Sequence, residues 1–414
     1  MSILIKNVLL DGKRTHILIE DNIISKIGEI QRADYEIDGM DKVALPGLIN
    51  THTHAAMTLL RGYADDYPLQ QWLEEKIWPV EKKLTEEDVY WGVKLACLEM
   101  IKTGTTTFSD MYWFEKSAAD AVREMGLRAF LAEAFFDFDQ EDVREESIKR
   151  TEEAVKYITS LGLKRVQPAL GPHAPYTVSK KGLEWIRDFA THENLLVHFH
   201  LAETKKEIDN FIKKTGMRLI EFLDKISFLS RRLIIAHAIW LNDEEVKLLV
   251  KRGVKVSHNP VSNMKLASGV FPYKLMKQHD VVVSLGTDGC ASNNNLNMFE
   301  EMKFASLLQK VHSMDPTALP KDEVFRMATI NGAKALGINA GEIKESKLAD
   351  IILVDLNTPS FAPNHDVISN LVYSIPKVDT VICDGKILME NGKVPDEEEI
   401  IKHAERIAKK LVEG

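Results

Sequence analysis

The apolar positions of this chain follow two different patterns, one at both ends and another in the middle. Near residues 2–30 and 348–394, short apolar runs alternate with two-residue turn signals. These turn signals are Asp11-Gly12, Asp21-Asn22, Asp384-Gly385 and Asn391-Gly392. Runs of this kind are typical of β-hairpins. Because the same pattern flanks a different middle, we expect both ends to form one small β-sandwich.

The middle of the chain alternates short β-rich runs with longer helical patterns such as "TEEDVYWGVKLACLEMIKTG". The eight β-rich runs are Val43–Asn50, Thr105–Asp110, Arg128–Glu133, Arg165–Gly171, Leu196–Leu201, Leu233–Ala238, Val254–His258 and Val281–Thr287. Eight strands with helical connections predict an α/β fold, a (β/α)₈ TIM barrel, and a doubly wound sheet is the alternative.

These patterns predict four segments. The N-terminal part of the β-sandwich covers residues 1–48, and the catalytic barrel covers residues 49–342. The C-terminal part of the β-sandwich covers residues 343–398, and a surface helix covers residues 399–414. The chain is long enough for such a barrel and an accessory domain, since a barrel takes about 250 residues.

The composition excludes several classes of protein. Of the 414 residues, 45% are hydrophobic and 28% are charged, and the net charge is −9. With no long basic block, nucleic acid is not an expected partner. No apolar stretch is long enough for a membrane span, and no apolar leader follows Met1. Cys97, Cys290 and Cys383 are too far apart for a C-x-x-C site, so we expect a cytoplasmic protein.

Metal-binding or titratable side chains are concentrated at the ends of the eight β-rich runs. They are His52, His54, Asp110, Glu133, His173, His200, Glu203, His237, His258 and Asp288. Barrel enzymes keep their chemistry at the C-terminal ends of the strands. The other histidines fall in ordinary places, so this concentration predicts an active site at the barrel mouth.

Three of these histidines and one aspartate suit a metal ion. His52 and His54 are two residues apart, so in a strand they point the same way. His200 ends the run "LLVHFHL", and His198 shares its face but lies farther from the mouth. Asp288 follows an apolar run, where a carboxylate needs a cation or several donors; capping of the next helix is the alternative. Together they make an N₃O site with room for water.

Two further residues complete the expected chemistry. Glu203 follows His200 by three residues and is a candidate proton shuttle. His237 is interpreted as a hydrogen-bond partner of the attacking hydroxide, which zinc generates by lowering the pKa of water toward about 7. A fourth or alternative metal ligand is the other interpretation of His237. His258, close to Pro260, is equally consistent with a structural role.

Six motifs, in order, resemble the metal-dependent amidohydrolase superfamily. They are "PGLINTHTH", "GPHAPYT", "HFHLAET", "AHAIWL", "VSHNPVSNMKLASG" and "LGTDGCASNNNLNMFEEM". More narrowly, the chain resembles the S-adenosylhomocysteine/5′-methylthioadenosine deaminase family, which includes archaeal 5′-deoxyadenosine deaminases. The resemblance implies one Zn²⁺ per subunit, with Fe²⁺ as an alternative. Its ligands would be His52, His54, His200 and Asp288.

The resemblance also implies roles in catalysis and substrate binding. Glu203, His237 and Asp288 are the implied catalytic residues, and Glu203 and Asp288 also contact the purine. His173 is implied to contact the adenine ring, and Glu81 in "WPVEKKL" to accept hydrogen bonds from the ribose hydroxyls. Trp72 in "QQWL" is implied to pack on the ligand.

The loop after the third run departs from the family pattern. Members that bind S-adenosylhomocysteine carry an arginine there for the homocysteine carboxylate. Here the loop reads "EAFFDFDQEDVREES", and Arg144 is its only arginine. We therefore expect small or apolar 5′ groups, unless Arg144 or a neighbouring subunit supplies the positive charge.

The predicted function is hydrolytic deamination of 5′-modified adenosines to the inosine analogue and ammonia. Candidate substrates are 5′-deoxyadenosine, 5′-methylthioadenosine, S-adenosylhomocysteine and adenosine. The alternative is a deaminase or chlorohydrolase of the same superfamily that acts on a free base such as guanine or a triazine. A binuclear amidase would need a bridging lysine, which "RVQPALGPHAPY" lacks. The predicted partners are a small nucleoside and further copies of the chain, with a homotetramer expected from the family.

Overall fold

The structure is a computed structural model that describes residues 2–413. Its strands form two sheets, a parallel one in the middle of the chain and a mixed one from both ends. The strands are β1 (Ile3–Leu10), β2 (Lys13–Glu20), β3 (Ile23–Ile27), β4 (Tyr35–Asp38), β5 (Lys42–Pro46), β6 (Leu48–Thr53), β7 (Thr105–Tyr112), β8 (Arg128–Phe135), β9 (Val166–Pro172), β10 (Leu196–Leu201), β11 (Leu233–His237), β12 (Lys255–His258), β13 (Val283–Leu285), β14 (Ile351–Asp355), β15 (Val378–Cys383) and β16 (Lys386–Met389).

The middle sheet is a nearly closed barrel. Strands β6 to β13 lie in chain order, and each pairs in parallel with the next. At the seam, the backbone N–H of Asp288 donates to the carbonyl of His52 (3.0 Å). The Thr51 hydroxyl donates to the carbonyl of Leu285 (2.9 Å), also across the seam. The predicted (β/α)₈ fold class is therefore confirmed.

Helices follow the strands of the barrel, and α16 and α17 belong to the C-terminal part of the chain. They are α1 (Leu69–Trp72), α2 (Trp78–Glu81), α3 (Glu86–Lys102), α4 (Glu115–Met125), α5 (Glu141–Ser160), α6 (Lys180–Glu193), α7 (Lys205–Thr215), α8 (Leu219–Lys225), α9 (Asp243–Arg252), α10 (Pro260–Lys265), α11 (Tyr273–Gln278), α12 (Cys290–Asn293), α13 (Met298–Ser313), α14 (Lys321–Met327), α15 (Ile330–Leu336), α16 (Val367–Ser374) and α17 (Glu397–Glu413), with a 3₁₀ helix at Ala55–Leu60. Within residues 2–413, no helix combines the length and apolar character needed to cross a membrane.

The second sheet combines strands from both ends of the chain, as predicted. Its order is β16-β15-β14-β5-β1-β2-β3, and β4 pairs with β1. Ile3, Ile17, Ile351 and Leu353 belong to its own apolar core. The division at residues 1–48, 49–342, 343–398 and 399–414 stays a prediction.

The run Val43–Asn50, interpreted from sequence as the first barrel strand, is divided between the two sheets. Gly47 separates β5 of the terminal sheet from β6 of the barrel. A Cβ atom on Gly47 would lie 2.2 Å from Thr106 Oγ1, so only glycine fits where the chain passes from one sheet to the other. The single-strand interpretation was wrong because apolar content does not reveal such a crossing.

One helical segment outside the barrel frame reaches the mouth. Between α1 and α2 the backbone is a π-helix at Leu73–Ile77, so residues 69–81 form one continuous helical segment. Pro79 stands in the first turn of α2 and cannot donate a backbone hydrogen bond. Such π-turns often occur at functional sites, and this one lies between Trp72 and Glu81.

A buried ion-pair cluster joins the barrel to the terminal sheet. Arg128, at the start of β8, is 4% exposed. Its Nε donates to Asp350 Oδ2 (3.0 Å), and its Nη2 donates to Asp384 Oδ1 (2.9 Å). Asp350 is also buried. Removal of the guanidinium would therefore leave a carboxylate without its compensating charge.

We expect Arg128→Met to lower the free energy of unfolding by about 3–5 kcal/mol, the usual result of removing one partner of a buried ion pair. Lys116→Met is the control, because Lys116 and Glu153 form an exposed pair (3.5 Å). Its effect should stay within about 0.5 kcal/mol. Urea denaturation followed by circular dichroism measures both. Equal effects of the two substitutions would contradict this interpretation of the cluster.

Candidate active site and metal centre

The predicted site residues converge on one chamber at the carboxyl ends of the barrel strands. Those that line the chamber are His54, Trp72, Glu81, His173, His200, Glu203, His237 and Asp288. His52 is fully buried beside it. Strand β6 carries His52 and its loop carries His54, β10 carries His200, and Asp288 follows β13. The strand-end rule located His54, His173, His200, Glu203, His237 and Asp288, whereas Trp72 and Glu81 reach the chamber from the helical segment at residues 69–81.

The four predicted metal ligands lie close together. Asp288 Oδ1 is 3.3 Å from His52 Nε2 and 3.2 Å from His54 Nε2. His200 Nε2 is 3.2 Å from His54 Nε2. One ligand atom from each of His52, His54 and His200 falls within a 4.8 Å cluster, and so does one from each of His52, His237 and Asp288. The described residues thus include a histidine-rich group that could hold a metal ion.

Hydrogen bonds on the far side of each imidazole fix its orientation. His54 Nδ1 donates to the carbonyl of Met111 (2.6 Å), and His200 Nδ1 donates to the carbonyl of His173 (2.7 Å). His52 Nδ1 lies 2.7 Å from His198 Nε2. Each Nε2 is left to face the cluster, which is the usual arrangement of metal-binding histidines.

The electrostatics of the cluster favour a cation. Burial alone would raise the pKa of Asp288, yet its contacts with His52 and His54 hold that pKa well below the usual range. Burial lowers the pKa of His52 to about 4. Burial acts in the same direction on His54, but Asp288 outweighs it and raises the His54 pKa to about 9. The carboxylate therefore depends on positive charge at this point, which a divalent ion also supplies.

Glu203 lies at the edge of the cluster, and its two carboxylate oxygens face Ser268 and His237. Its side chain is buried, and Ser268 Oγ donates to Oε1 (3.1 Å). Oε2 lies 3.9 Å from His237 Nε2. Burial raises the pKa of Glu203, which favours a group that both accepts and releases a proton. Sequence reasoning missed Ser268, because its loop meets β10 only in the folded chain.

A second carboxylate holds the backbone of this segment. Glu207 accepts hydrogen bonds from the N–H groups of Ala202 (3.1 Å) and Glu203 (2.9 Å). Ala202 has φ of +54°, a conformation that non-glycine residues rarely adopt. Sequence reasoning also missed Glu207. The spacing of Thr204 and Glu207 at the start of α7 resembles a capping box and was the available signal.

His237 is also held in a strained backbone conformation. Its φ is +70°, and that of the next residue, Ala238, is +51°. Its Nδ1 donates to Asn263 Oδ1 (2.8 Å), which turns Nε2 toward Glu203. Strained residues of this kind cluster at active sites, so the geometry agrees with a role beyond packing.

The residues expected on the substrate side form the outer wall. Trp72 is 5% exposed, and burial raises the pKa of Glu81. The His173 ring stacks on Phe136 with centroids 4.5 Å apart, and its Nδ1 lies 2.9 Å from Thr177 Oγ1. Phe136 itself comes from the loop of Arg144, and it lines the chamber.

Arg144, Asp110, Glu133 and His258, which the sequence analysis also named, lie outside the chamber. Arg144 belongs to α5 and its Nη2 lies 3.7 Å from Glu141 Oε1. Asp110 accepts hydrogen bonds from the backbone of Ala55 and Met111. Glu133 accepts one from the backbone of Glu115, and the His258 ring stacks on Phe271. These contacts indicate supporting roles for all four.

Comparison with known proteins agrees with this geometry. Residues 43–388 match the sequence model of the Amidohydrolase family. The chain belongs to this family. Amidohydrolases depend on metal ions, and the histidine cluster described above is where this amidohydrolase could hold one.

Its relatives confirm the resemblance drawn from the motifs. The chain is 50% identical to a 5′-deoxyadenosine deaminase of Methanocaldococcus jannaschii over 98% of each chain. It is 51% identical to 5-methylthioadenosine/S-adenosylhomocysteine deaminase 1 of Archaeoglobus fulgidus over 95% of this chain and 94% of that one. A crystal structure of an adenosine deaminase from Xanthomonas campestris with bound zinc superposes with a TM-score of 0.93 at 33% identity, covering 100% of this chain and 98% of that one.

We expect His200→Ala to lower the metal content of this amidohydrolase by at least about tenfold, because it would remove one of the predicted ligands. His312→Ala is the control, since His312 is exposed on α13. Metal analysis after gel filtration gives the metal-to-protein ratio of both variants. Full occupancy in His200→Ala, or an equal loss in the control, would contradict the ligand assignment.

Proposed function

We propose that this amidohydrolase catalyses the hydrolytic deamination of adenosines modified at the 5′ position. The products would be the corresponding inosine analogue and ammonia. The observation that carries the proposal is the approach of Glu203 and His237 to the cluster formed by His52, His54, His200 and Asp288. The names of relatives about 50% identical over nearly the whole chain support the same reaction.

We propose that His52, His54, His200 and Asp288 bind one Zn²⁺ per chain. The buried Nε2 of His52 has no hydrogen-bond partner among the described residues, although it lies 3.3 Å from the Asp288 carboxylate. A metal ligand would show this arrangement, and three imidazoles with one carboxylate suit zinc. The same donor set suits Fe²⁺. When bound, such an ion acidifies water and thereby supplies hydroxide at neutral pH.

The proton transfers are proposed for Glu203 and Asp288. A water oxygen forms a bond to C6 of the purine, and Asp288 accepts one of the water protons. Glu203 protonates N1, which draws electron density away from C6 as the bond forms. The C6–N bond then breaks: the amine leaves as ammonia with the proton that Asp288 took from water, and the C6 hydroxyl gives its proton to the Glu203 carboxylate as the inosine carbonyl forms. General acid–base steps of this kind are each worth about 10²–10⁴-fold in rate.

His237 is proposed to stabilise the same step. Its Nδ1 bond to Asn263 fixes the ring, so that Nε2 faces the reacting centre. A preoriented group of this kind stabilises charge that develops in the transition state. Ser268 holds the Glu203 carboxylate in the same way. The strained backbone at Ala202 and His237 would keep both groups in position before substrate arrives.

The outer wall is proposed to bind the nucleoside. His173 would contact the adenine ring, and Trp72 would pack on the ligand. Glu81 would accept hydrogen bonds from the vicinal ribose hydroxyls, an arrangement that a carboxylate makes strongly. All three side chains line the chamber.

The 5′ group is proposed to be small or apolar. The chamber wall next to His173 is formed by the stacked rings of Trp113 and Phe136, whose centroids are 5.1 Å apart. Arg144, which the sequence analysis placed in this loop, lies on α5, pairs with Glu141 of the same helix and does not line the chamber. This arrangement favours 5′-deoxyadenosine and 5′-methylthioadenosine over S-adenosylhomocysteine, whose carboxylate would need a cation.

Assembly and location remain part of the proposal. We infer a homo-oligomer, with a tetramer expected from the family, and a cytoplasmic location. The three cysteines are unpaired and buried, which fits a reducing compartment.

A substrate panel tests the proposed reaction. We expect the metal-loaded protein to deaminate 5′-deoxyadenosine, 5′-methylthioadenosine and adenosine, with S-adenosylhomocysteine slower. Free adenine and guanine should not react, because they lack the ribose that Glu81 would bind. Loss of the adenine absorbance band and release of ammonia are the measurements. Turnover of guanine or a triazine without turnover of nucleosides would favour the alternative reaction on a free base.

We expect Glu203→Gln to lower kcat by about 10²–10⁴-fold, because the amide cannot carry the proton. Its metal content should match that of the wild type, since Glu203 is not a proposed ligand. Glu193→Gln, at the end of α6, is the matched control and should keep the wild-type rate. Near-normal turnover in Glu203→Gln would show that another group transfers the proton.

A further inference from the structure

The Tyr112 hydroxyl is a buried polar group that the reaction proposed above does not use. Tyr112 is the last residue of β7, is 3% exposed and lines the chamber. Among residues 2–413, its hydroxyl oxygen makes no hydrogen bond of standard geometry, although the Glu81 carboxylate faces it. Buried tyrosine hydroxyls usually find a partner. In a chamber built for a ligand, an unpartnered one points to a group that arrives with the ligand.

The position of Tyr112 indicates which part of the ligand it would meet. Its ring lies 6.3 Å from the His54 ring, measured between centroids. On its other side it faces Glu81: burial, then the charge of Glu81 and a hydrogen-bond interaction with its carboxylate, raise the pKa of Tyr112 well above its usual value. The phenol therefore stays protonated and stands between the metal cluster and the carboxylate proposed to bind ribose.

Glu81 and Tyr112 have complementary hydrogen-bonding capacities. An ionised carboxylate only accepts hydrogen bonds, so Glu81 can bind the protons of a vicinal diol but not its lone pairs. A phenol donates, so it can bind a lone pair on one of the same oxygens. Together the two side chains would satisfy both the donor and the acceptor of a ribose hydroxyl.

We propose that Tyr112 donates a hydrogen bond to the 2′ or the 3′ hydroxyl of the ribose. The site would thereby select nucleosides that carry this hydroxyl over the analogue that lacks it. The inference rests on the proposed nucleoside reaction and assigns one further binding residue to it. Sites built to hydrogen-bond a hydroxyl reject analogues that lack it, because their buried polar groups stay unpaired. Tyr112 would act on binding, since it is not one of the groups proposed to transfer protons to or from the purine.

Tyr112→Phe tests this role with three substrates. We expect kcat/KM for adenosine to fall about tenfold, as for one lost hydrogen bond, and mainly through KM. One of the two analogues, 2′-deoxyadenosine or 3′-deoxyadenosine, lacks the hydroxyl that Tyr112 would bind. For that analogue, the substitution should change kcat/KM by less than about twofold. The metal-loaded wild type and variant are compared by loss of the adenine absorbance band.

The melting temperature of the free protein separates binding from a structural role. Because the Tyr112 hydroxyl makes no hydrogen bond of standard geometry within residues 2–413, its removal should not lower the melting temperature. Tyr157→Phe is the matched control: its hydroxyl donates to Asp120 (2.7 Å) far from the chamber, and its loss should leave kcat/KM unchanged for every substrate.

The outcomes are distinguishable. If the wild type deaminates nucleosides but Tyr112→Phe changes all three substrates equally, or none of them, the inference is overturned and the proposed function stands. A lower melting temperature in Tyr112→Phe, with equal losses on all substrates, would assign the hydroxyl to folding. If the wild type deaminates no nucleoside, the proposed function fails and the inference fails with it.

Discussion

The contact of the Asp288 carboxylate with His52 and His54 is the interaction on which the site depends. A buried carboxylate is costly unless positive charge or hydrogen-bonding groups lie beside it, and here its neighbours are imidazoles from a strand remote in sequence. The backbone of Asp288 also donates to the carbonyl of His52, which joins the first and last barrel strands. Closing the barrel and assembling the cluster are therefore the same structural event.

Local geometry explains which parts of the site could be predicted from sequence. The orientation of His52 and His54 follows from strand periodicity alone, and His200 and Asp288 were found because their strands end at the same face. Glu207, Ser268 and Tyr112 were missed, because their contacts depend on where loops and strand ends meet. His258 also ends a strand and Asp110 lies two residues before the end of β7, yet they face backbone or aromatic neighbours. Sequence alone does not distinguish a strand-end residue that faces the chamber from one that faces its neighbours. Trp72 and Glu81, in the helical segment at 69–81, were found only through family resemblance.

Backbone strain at the strand ends shows how the functional side chains are held. Ala202, His237 and Asp288 all have positive φ, although none is glycine. Each such conformation costs on the order of 1–3 kcal/mol and persists only where the surroundings fix it. Glu207 fixes the first through two backbone N–H groups, and Asn263 fixes the ring of the second. The energy for this preorganisation comes from the large apolar core of the barrel.

The terminal sheet has a consequence for how the protein is made. Strand β5 pairs with β14, which follows it by about 300 residues. At ribosomal speeds of about 5–20 residues per second, the wait between these strands is roughly 15–60 s. During that time, the edge of β5 that later pairs with β14 has no partner, and the apolar core lacks Ile351 and Leu353. An unpaired strand edge of this kind can pair with other chains. The nascent polypeptide therefore has most need of a chaperone at its beginning, long before the catalytic strands are complete.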